Sequence, residues 1–319
     1  MSCHQTIRAA PLGCFVLLLS LVSWSAPAAD DLPEPGQVSA HAWAWIGPYG
    51  PPTRENRGYR MNLGFVVGVD GVAVIDSGYG DPMAKAMLER IREVSDQPVR
   101  YVISTDTRPH RVLGNEVFRD AGAQVVMTPQ AAAFTQAQGG AMARTAEEIL
   151  GLPAESIRSP GAPDVSLTQA VSLDLGGVTL NVIPVDTAHT PGQLIVEVVE
   201  DDVVFAGDVL YRGRLLSVLS ESRVDAWIDA YEMLRELDEA LFVPGHGEPG
   251  SLEDFEQPTY EYLTLLKSHM DDAVDEGVGL QDAIESLDQS GWQGLADFDA
   301  LAGRNAHRTY LEREAAAFE

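Results

Sequence analysis

Residues 62–78 read Asn-Leu-Gly-Phe-Val-Val-Gly-Val-Asp-Gly-Val-Ala-Val-Ile-Asp-Ser-Gly. Two apolar runs, Phe65-Val66-Val67 and Val72-Ala73-Val74-Ile75, flank the pair Asp70-Gly71. That pair suits a tight turn between strands, so a β-hairpin is predicted. It stops at the polar group Asp76-Ser77-Gly78. Asp81-Pro82 then opens a helix with Met83, Met87, Leu88 and Ile91 at helical spacing.

The alternation of apolar run and turn continues outward. Val99–Ser104 reads as a strand, Thr105–Arg111 as a polar loop, Leu113–Ala121 as a short helix and Gln124–Met127 as a strand. Residues 130–150, rich in Ala, Gln and Glu, are expected to be helical and to form a mobile cover. Val171–Leu175 with Val178–Val185, and Leu194–Val199 with Val203–Ala206, make two more hairpins. Ala226–Leu237 is an amphipathic helix and Leu241–Val243 a last buried strand. Beyond about residue 258 the pattern is helical, with a break near Gly291. Two blocks of strands, each followed by helices, predict an α/β protein with two packed sheets and helices outside. No internal repeat or linker divides them.

Towards the N-terminus, Arg8, the apolar run Phe15–Val22 and the small-residue group Ala26-Pro27-Ala28 have the order of a cleaved secretory signal. The apolar run is too short to span a bilayer. The expected arrangement is a signal peptide at 1–28 and one domain at 29–319 with a helical C-terminal extension, periplasmic or secreted. Both cysteines, Cys3 and Cys14, fall in the signal. The mature chain therefore has no thiol chemistry, and its metal ligands must come from His, Asp, Glu or the backbone. The 319-residue chain carries a net charge of −27, with its acids dispersed. That balance disfavours nucleic acid and anionic membranes as partners, and no membrane insertion is expected after signal cleavage.

Four polar clusters follow predicted strands. They are Asp106-Thr107-Arg108-Pro109-His110-Arg111, Thr187-Ala188-His189-Thr190-Pro191-Gly192, Ala206-Gly207-Asp208 and Pro244-Gly245-His246-Gly247. A lone His or Asp after a strand is commonly only a turn residue. Four such clusters, rich in His, Asp and Gly, are the makings of a site on a rigid scaffold.

With these residues in view, the chain resembles the metallo-β-lactamase superfamily over roughly residues 40–310. The resemblance rests on Asn62–Phe65, Ile75–Gly78 and the His189, Asp208 and His246 motifs. Val112–Asn115, Phe205–Asp208 with Arg212-Gly213-Arg214, Val243–Gly247, Tyr262-Leu263 and Arg304-Asn305 are similar to periplasmic zinc metallohydrolases associated with quinoprotein-relay and sulfur-oxidation systems. The resemblance implies a four-layer αββα sandwich, zinc, a small-molecule substrate and a periplasmic redox-system partner. It also exposes a departure. The family's first ligand loop reads His-x-His-x-Asp-His, and aligned without a gap this chain places Asp106, Arg108, His110 and Arg111 at those four positions.

Asp and His can hold zinc, whereas a guanidinium stays protonated and has no lone pair to offer. One family site would retain Asp106, His189 and Asp208, with Arg108 beside it. The other would retain His110, His246 and Asp208, with Arg111 beside it. At most one zinc per chain, or none, is therefore expected. Asp208 and His110 are the expected catalytic residues. Two readings follow. In one, the protein is a mono-zinc or weakly metal-binding hydrolase of an ester, thioester or lactam-like bond. In the other, Arg108 and Arg111 replace the metal charges or bind an anion, and the chain is an inactive homologue that binds an anion or a partner.

Overall fold

The computed structural model describes residues 32–237 and 239–318. The N-terminal segment read as a signal lies outside the described residues. No described helix is long and apolar enough to cross a membrane.

Twelve strands form two sheets among the described residues. The first sheet runs in order through β1 (Gly36–Gln37), β2 (Ala42–Trp45), β3 (Leu63–Val67), β4 (Val72–Ile75), β5 (Val99–Ile103), β6 (Gln124–Met127) and β7 (Val165–Ser166). The second consists of β8 (Val171–Asp174), β9 (Thr179–Pro184), β10 (Leu194–Val198), β11 (Val203–Tyr211) and β12 (Leu241–His246), in the spatial order β12-β11-β10-β9-β8. The expected hairpin is β3–β4, paired Phe65 to Val74 and Val67 to Val72. The parallel pairs β4–β5 and β11–β12 aim two sets of strand ends at one edge of the sandwich.

Three buried clusters define the layers. Val66, Ile75, Ile103, Val182, Val196 and Phe205 belong to the cluster between the sheets. Helices α1 (Asp81–Val94), α2 (Pro109–Val112), α3 (Asn115–Asp120) and α4 (Pro129–Leu150) belong to the first half of the chain. Met87, Phe118 and Ala146 from these helices join Phe65, Val74 and Val102 on the outer face of the first sheet. Helices α5 (Val224–Arg235), α6 (Tyr262–Asp275), α7 (Leu280–Ser286) and α8 (Phe298–Ala316) belong to the second half. Trp227, Leu266 and Ala306 from them meet Ile195, Val204 and Phe242 on the other outer face. The result is an αββα sandwich. The C-terminal helices share the core of α5, so they extend this layer.

Two local readings need correction. The stretch read as a polar loop contains α2, because Pro109 presets a helical φ at its first position. Asp208 lies inside β11, not after it. The apolar pattern breaks at Gly207, but the backbone ladder resumes past a register shift and pairs Tyr211 with His246. The expected helix at 130–150 is α4. It packs through Ala131, Ala143, Ala146 and Leu150 into the first outer core.

Candidate functional site

The strand ends converge on a buried polar cluster. Asp76 ends the first hairpin with a positive φ of 63°, a backbone region that favours Asp and Asn among non-glycine residues. That geometry turns its carboxylate towards the next crossover. There it accepts the Thr105 N–H and the Thr105 hydroxyl, each at 2.8 Å. The neighbouring Asp106 accepts the Arg108 N–H at 2.6 Å and closes the turn that leads into α2. His110 and Arg111 are thereby placed on one helical turn facing the site.

From the other sheet, β11 brings in Asp208 and β12 brings in His246. Gly207 has a φ of 52°, and a Cβ there would overlap the Thr105 hydroxyl. A Cβ at Gly245 would overlap the Asp208 carboxylate. Glycine at 207 lets the two sheets approach at the site, and glycine at 245 leaves room for the Asp208 carboxylate and the Arg111 guanidinium. Asn62 holds this approach together, donating to the carbonyls of Pro244 at 2.9 Å and Gly247 at 2.7 Å. His189 comes from the loop before β10. Gln193 Oε1 accepts its N–H at 2.7 Å, and its carbonyl accepts the Ser222 hydroxyl at 2.7 Å.

Arg111 is the centre of the cluster and is 1% exposed. Nη2 donates to Asp208 Oδ1 at 2.6 Å and to the Gly245 carbonyl at 2.9 Å. Nη1 donates to Asp76 Oδ2 at 2.9 Å and to the Asn62 carbonyl at 2.6 Å. The planar fork thus ties both sheets together through charge-assisted bonds.

The remaining groups sort by hydrogen bonding. His189 Nδ1 lies 2.8 Å from Asp106 Oδ2, and the Gln193 amide donates to the same oxygen at 3.3 Å. In contrast, His110 Nε2, Asp208 Oδ2 and His246 Nδ1 are buried without a hydrogen-bond partner. Asp208 Oδ2 is 3.7 Å from His110 Nε2 and 3.5 Å from His189 Nδ1. Ligand atoms of His110, Asp208 and His246 lie within 4.8 Å of one another, as do those of Asp106, His189 and Asp208. Buried polar atoms without partners are costly. His246 faces Asp208 through Nε2, at 3.6 Å from Oδ1, and the convergent ligand atoms of His110, Asp208 and His246 suit a cation.

Proton affinities follow from burial and from Arg111. Burial pushes the His110 imidazole down to about 3, and also holds His246 well below its ordinary 6.5. Both rings are therefore neutral with a lone pair available. Burial alone would raise the Asp208 carboxyl, but Arg111 and then His110 overcome it and hold the group well below 3.8. Burial raises Asp76 to about 7, against the pull of Arg111 and of the Thr105 hydrogen bonds.

The structure brings together all five residues read as metal ligands: Asp106, His110, His189, Asp208 and His246. The two arginines diverge. Arg111 meets the acids of the site, as the charge-replacing reading requires. Arg108 does not pair its guanidinium with Asp106: its side chain is 36% exposed and reaches Glu221 at 3.9 Å. Proline at position 109 starts α2 and directs Arg108 to the rim.

Sequence reading missed two participants. Asp76 appeared there only as the polar end of the hairpin and within a family resemblance, although its position at a strand end was a usable signal. The Tyr211 ring stacks on His246 at 5.2 Å, and nothing in its apolar strand marks that role.

Two stacked sheets between helices, with a His/Asp cluster at the strand ends, define a metal-site hydrolase architecture. Residues 60–246 match the family model described as the metallo-beta-lactamase superfamily. The chain belongs to that superfamily. Among solved structures it is similar to a metallo-beta-lactamase from Pontibacter korlensis, with a TM-score of 0.56 and 21% identity over 72% of this chain and 98% of that one.

Proposed function

We propose that the protein is a single-zinc hydrolase acting outside the cytoplasm on an ester, thioester or lactam-like bond. The observation that carries this reading is the buried set His110, Asp208 and His246, whose ligand atoms lie within 4.8 Å of one another, with His110 Nε2 and Asp208 Oδ2 lacking hydrogen-bond partners. Three His/Asp ligands that leave a further position open are the usual ligand set of a catalytic zinc. Charge points the same way. Asp76, Asp106 and Asp208 are buried against one guanidinium, Arg111, and when all three acids are ionised two negative charges remain. One divalent ion balances them, while a second would leave an excess of buried positive charge.

His110, Asp208 and His246 would hold the zinc, which when bound polarises a carbonyl and acidifies a water molecule. The low proton affinities of His110 and Asp208 suit ligands better than proton carriers, which revises the catalytic role first expected of them. The proton-handling pair is His189 with Asp106. At 2.8 Å the carboxylate fixes the ring, and His189 Nδ1 stands 3.5 Å from Asp208 Oδ2. Arg111 occupies the remaining oxygen of Asp208 and keeps the carboxylate from rotating.

Elemental analysis combined with turnover tests this assignment. The probes are a 4-nitrophenyl ester, an acyl thioester and a chromogenic lactam. We expect at most one zinc per chain, lost in His110→Gln and His246→Gln. His189→Gln should retain the metal and lose roughly 100-fold or more in kcat. Two tightly bound equivalents would refute the single-ion reading. A protein that takes up no metal from zinc-replete buffer would favour the second reading, in which Arg111 already supplies the cation and the chain binds an anion or a partner. The 2.6 Å Arg111–Asp208 bond is the observation on that side.

A further inference from the structure

We infer that Thr259 and Tyr211 are the positioning residues of His246. Thr259 fixes the backbone of Tyr211, and the Tyr211 ring holds the His246 imidazole in the plane that presents Nε2 to the cluster. The role of His246 as a zinc ligand rests on the reading above, while the ring contact stands on its own distances.

A metal-binding imidazole usually donates its second ring N–H to an acceptor that fixes its orientation. His189 has such a partner, since its Nδ1 lies 2.8 Å from Asp106 Oδ2. His246 has none. Its Nε2 faces Asp208 Oδ1 at 3.6 Å, and its Nδ1 is buried without a hydrogen-bond partner. The second side-chain torsion of histidine has broad minima, so a contact other than a hydrogen bond must hold this ring. The Tyr211 ring supplies it, with centroids 5.2 Å apart and planes only 24° from parallel. His110 meets His246 nearly edge-on, at 5.8 Å and 70°. The near-parallel contact fixes the plane of the imidazole. Asp208 then favours the edge that carries Nε2.

Tyr211 is itself held from outside the strand ladder. It is the last residue of β11 and is buried. β10 pairs with β11 only from Val203 to Phe205, so at Tyr211 that flank of the strand has no neighbouring strand. Thr259 takes its place. Its hydroxyl accepts the Tyr211 N–H and donates to the Tyr211 carbonyl, each at 3.0 Å. A hydroxyl can serve as donor and acceptor together, so this single side chain does the work of a missing strand. Thr259 is fully buried and sits in a π-helical turn, Glu256–Glu261, that leads into α6. Such turns are rare and recur at functional sites. Trp227 of α5 supports the same tyrosine. Its ring lies 6.1 Å from that of Tyr211, and its Nε1 donates to the Val209 carbonyl at 2.9 Å. The C-terminal helical layer thus reaches the His/Asp cluster through one hydroxyl and one ring.

The test reads the ring first and the metal second. Histidine side-chain NMR spectra of chelator-treated protein are compared for wild type, Tyr211→Leu, Tyr211→Phe, Thr259→Val and Thr259→Ser, with His246→Gln assigning the signal. Zinc affinity is measured by competition with a chromophoric chelator. In wild type the His246 ring protons should be shifted upfield by the Tyr211 face. Tyr211→Phe and Thr259→Ser should keep that shift, because the ring and the hydroxyl survive. Tyr211→Leu and Thr259→Val should lose it and weaken zinc binding roughly 10-fold, the lower end of the range for losing a group that orients a metal ligand. Leu266→Ala, at a buried position of the same outer core, controls for general destabilisation and should leave both readouts at wild-type values. A wild-type His246 signal without the upfield shift overturns the proposal, as does a shift that persists in Tyr211→Leu and Thr259→Val. Equal loss of zinc affinity in Leu266→Ala would make the effect one of general packing and also overturn it. If one of the two disruptive variants fails to fold, the wild-type shift and the other variant decide. If wild type takes up no zinc while the His246 signal still depends on Tyr211 and Thr259, the zinc reading fails and the positioning role stands.

Discussion

Arg111 decides the character of the site. A guanidinium cannot ligate a metal, yet here it does much of a cation's electrostatic work. It neutralises Asp208 and Asp76 and bridges two carbonyls. Removing one partner from a buried ion pair leaves the other charge uncompensated, at a typical cost of about 3–5 kcal/mol. We therefore predict that Arg111→Met destabilises the fold by about that amount in denaturant melts. Adding Asp76→Asn should recover part of the loss, because one orphaned carboxylate disappears. Unchanged stability in the single variant would show that Arg111 is dispensable to the fold. Reading the sequence places this arginine at a ligand position but does not find Asp76 as its partner. The two residues are 35 positions apart, and only the parallel register of β4 on β5 brings their loops together.

At the scale of elements, nine of the twelve described strands were legible because each is a short apolar run bounded by Gly, Asp or Pro. β1 and β7 span only two residues each, and β2 lies in a Pro/Gly-rich stretch that masks its run. The helices were legible from their period. The continuation of β11 past Gly207 was not, since a glycine followed by a buried aspartate reads as a strand end. The ladder to β12 resumes after the register shift at Gly207. There Gly207 lies against Thr105 from the first sheet and Gly245 against Asp208 and Arg111, each too closely for a side chain. Gly245→Ala should push Asp208 off Arg111 and cost about 3 kcal/mol or more, through overpacking and a broken buried pair. Gly140→Ala provides the contrast. Gly140 sits within α4, and an added Cβ would meet only Arg144 at 3.5 Å. It should gain about 0.5–1 kcal/mol from helix propensity. Thermal or urea melts of the pair test the claim, and a Gly245→Ala protein as stable as wild type would refute it.

For the whole molecule, the buried titrating groups set an acid limit. His110 keeps a pKa of about 3 in the folded protein against an ordinary 6.5. Between these values the unfolded chain binds the proton and the folded chain does not, so stability is lost as pH falls through that window. His246, also lowered by burial, and Asp208, held low with the help of Arg111, act in the same direction. Asp76 has the opposite sign. Its folded pKa is raised from 3.8 to about 7, so its contribution is lost as pH rises through that range. Between pH 6.5 and 4 the two imidazoles oppose the single Asp76 carboxyl, so the melting temperature of chelator-treated protein should fall on acidification from about pH 6.5 towards pH 4. His110→Gln should flatten the slope. A melting temperature that rises on acidification would contradict this account.

The internal cation also bears on the order in which the protein matures. The acids of a typical dinuclear site repel one another until metal arrives, so ligand loops close late. Here Arg111 lets Asp76, Asp208 and Gly245 come together as the two halves of the chain dock, with no ion required. Refolding from denaturant should therefore proceed at the same rate in chelator as in zinc, with zinc entering a site already built. A refolding rate that climbs with zinc concentration would show the reverse order. On the proposed single-zinc reading, metal that follows folding would make its supply set how much of the protein is loaded and leave the amount that folds unchanged.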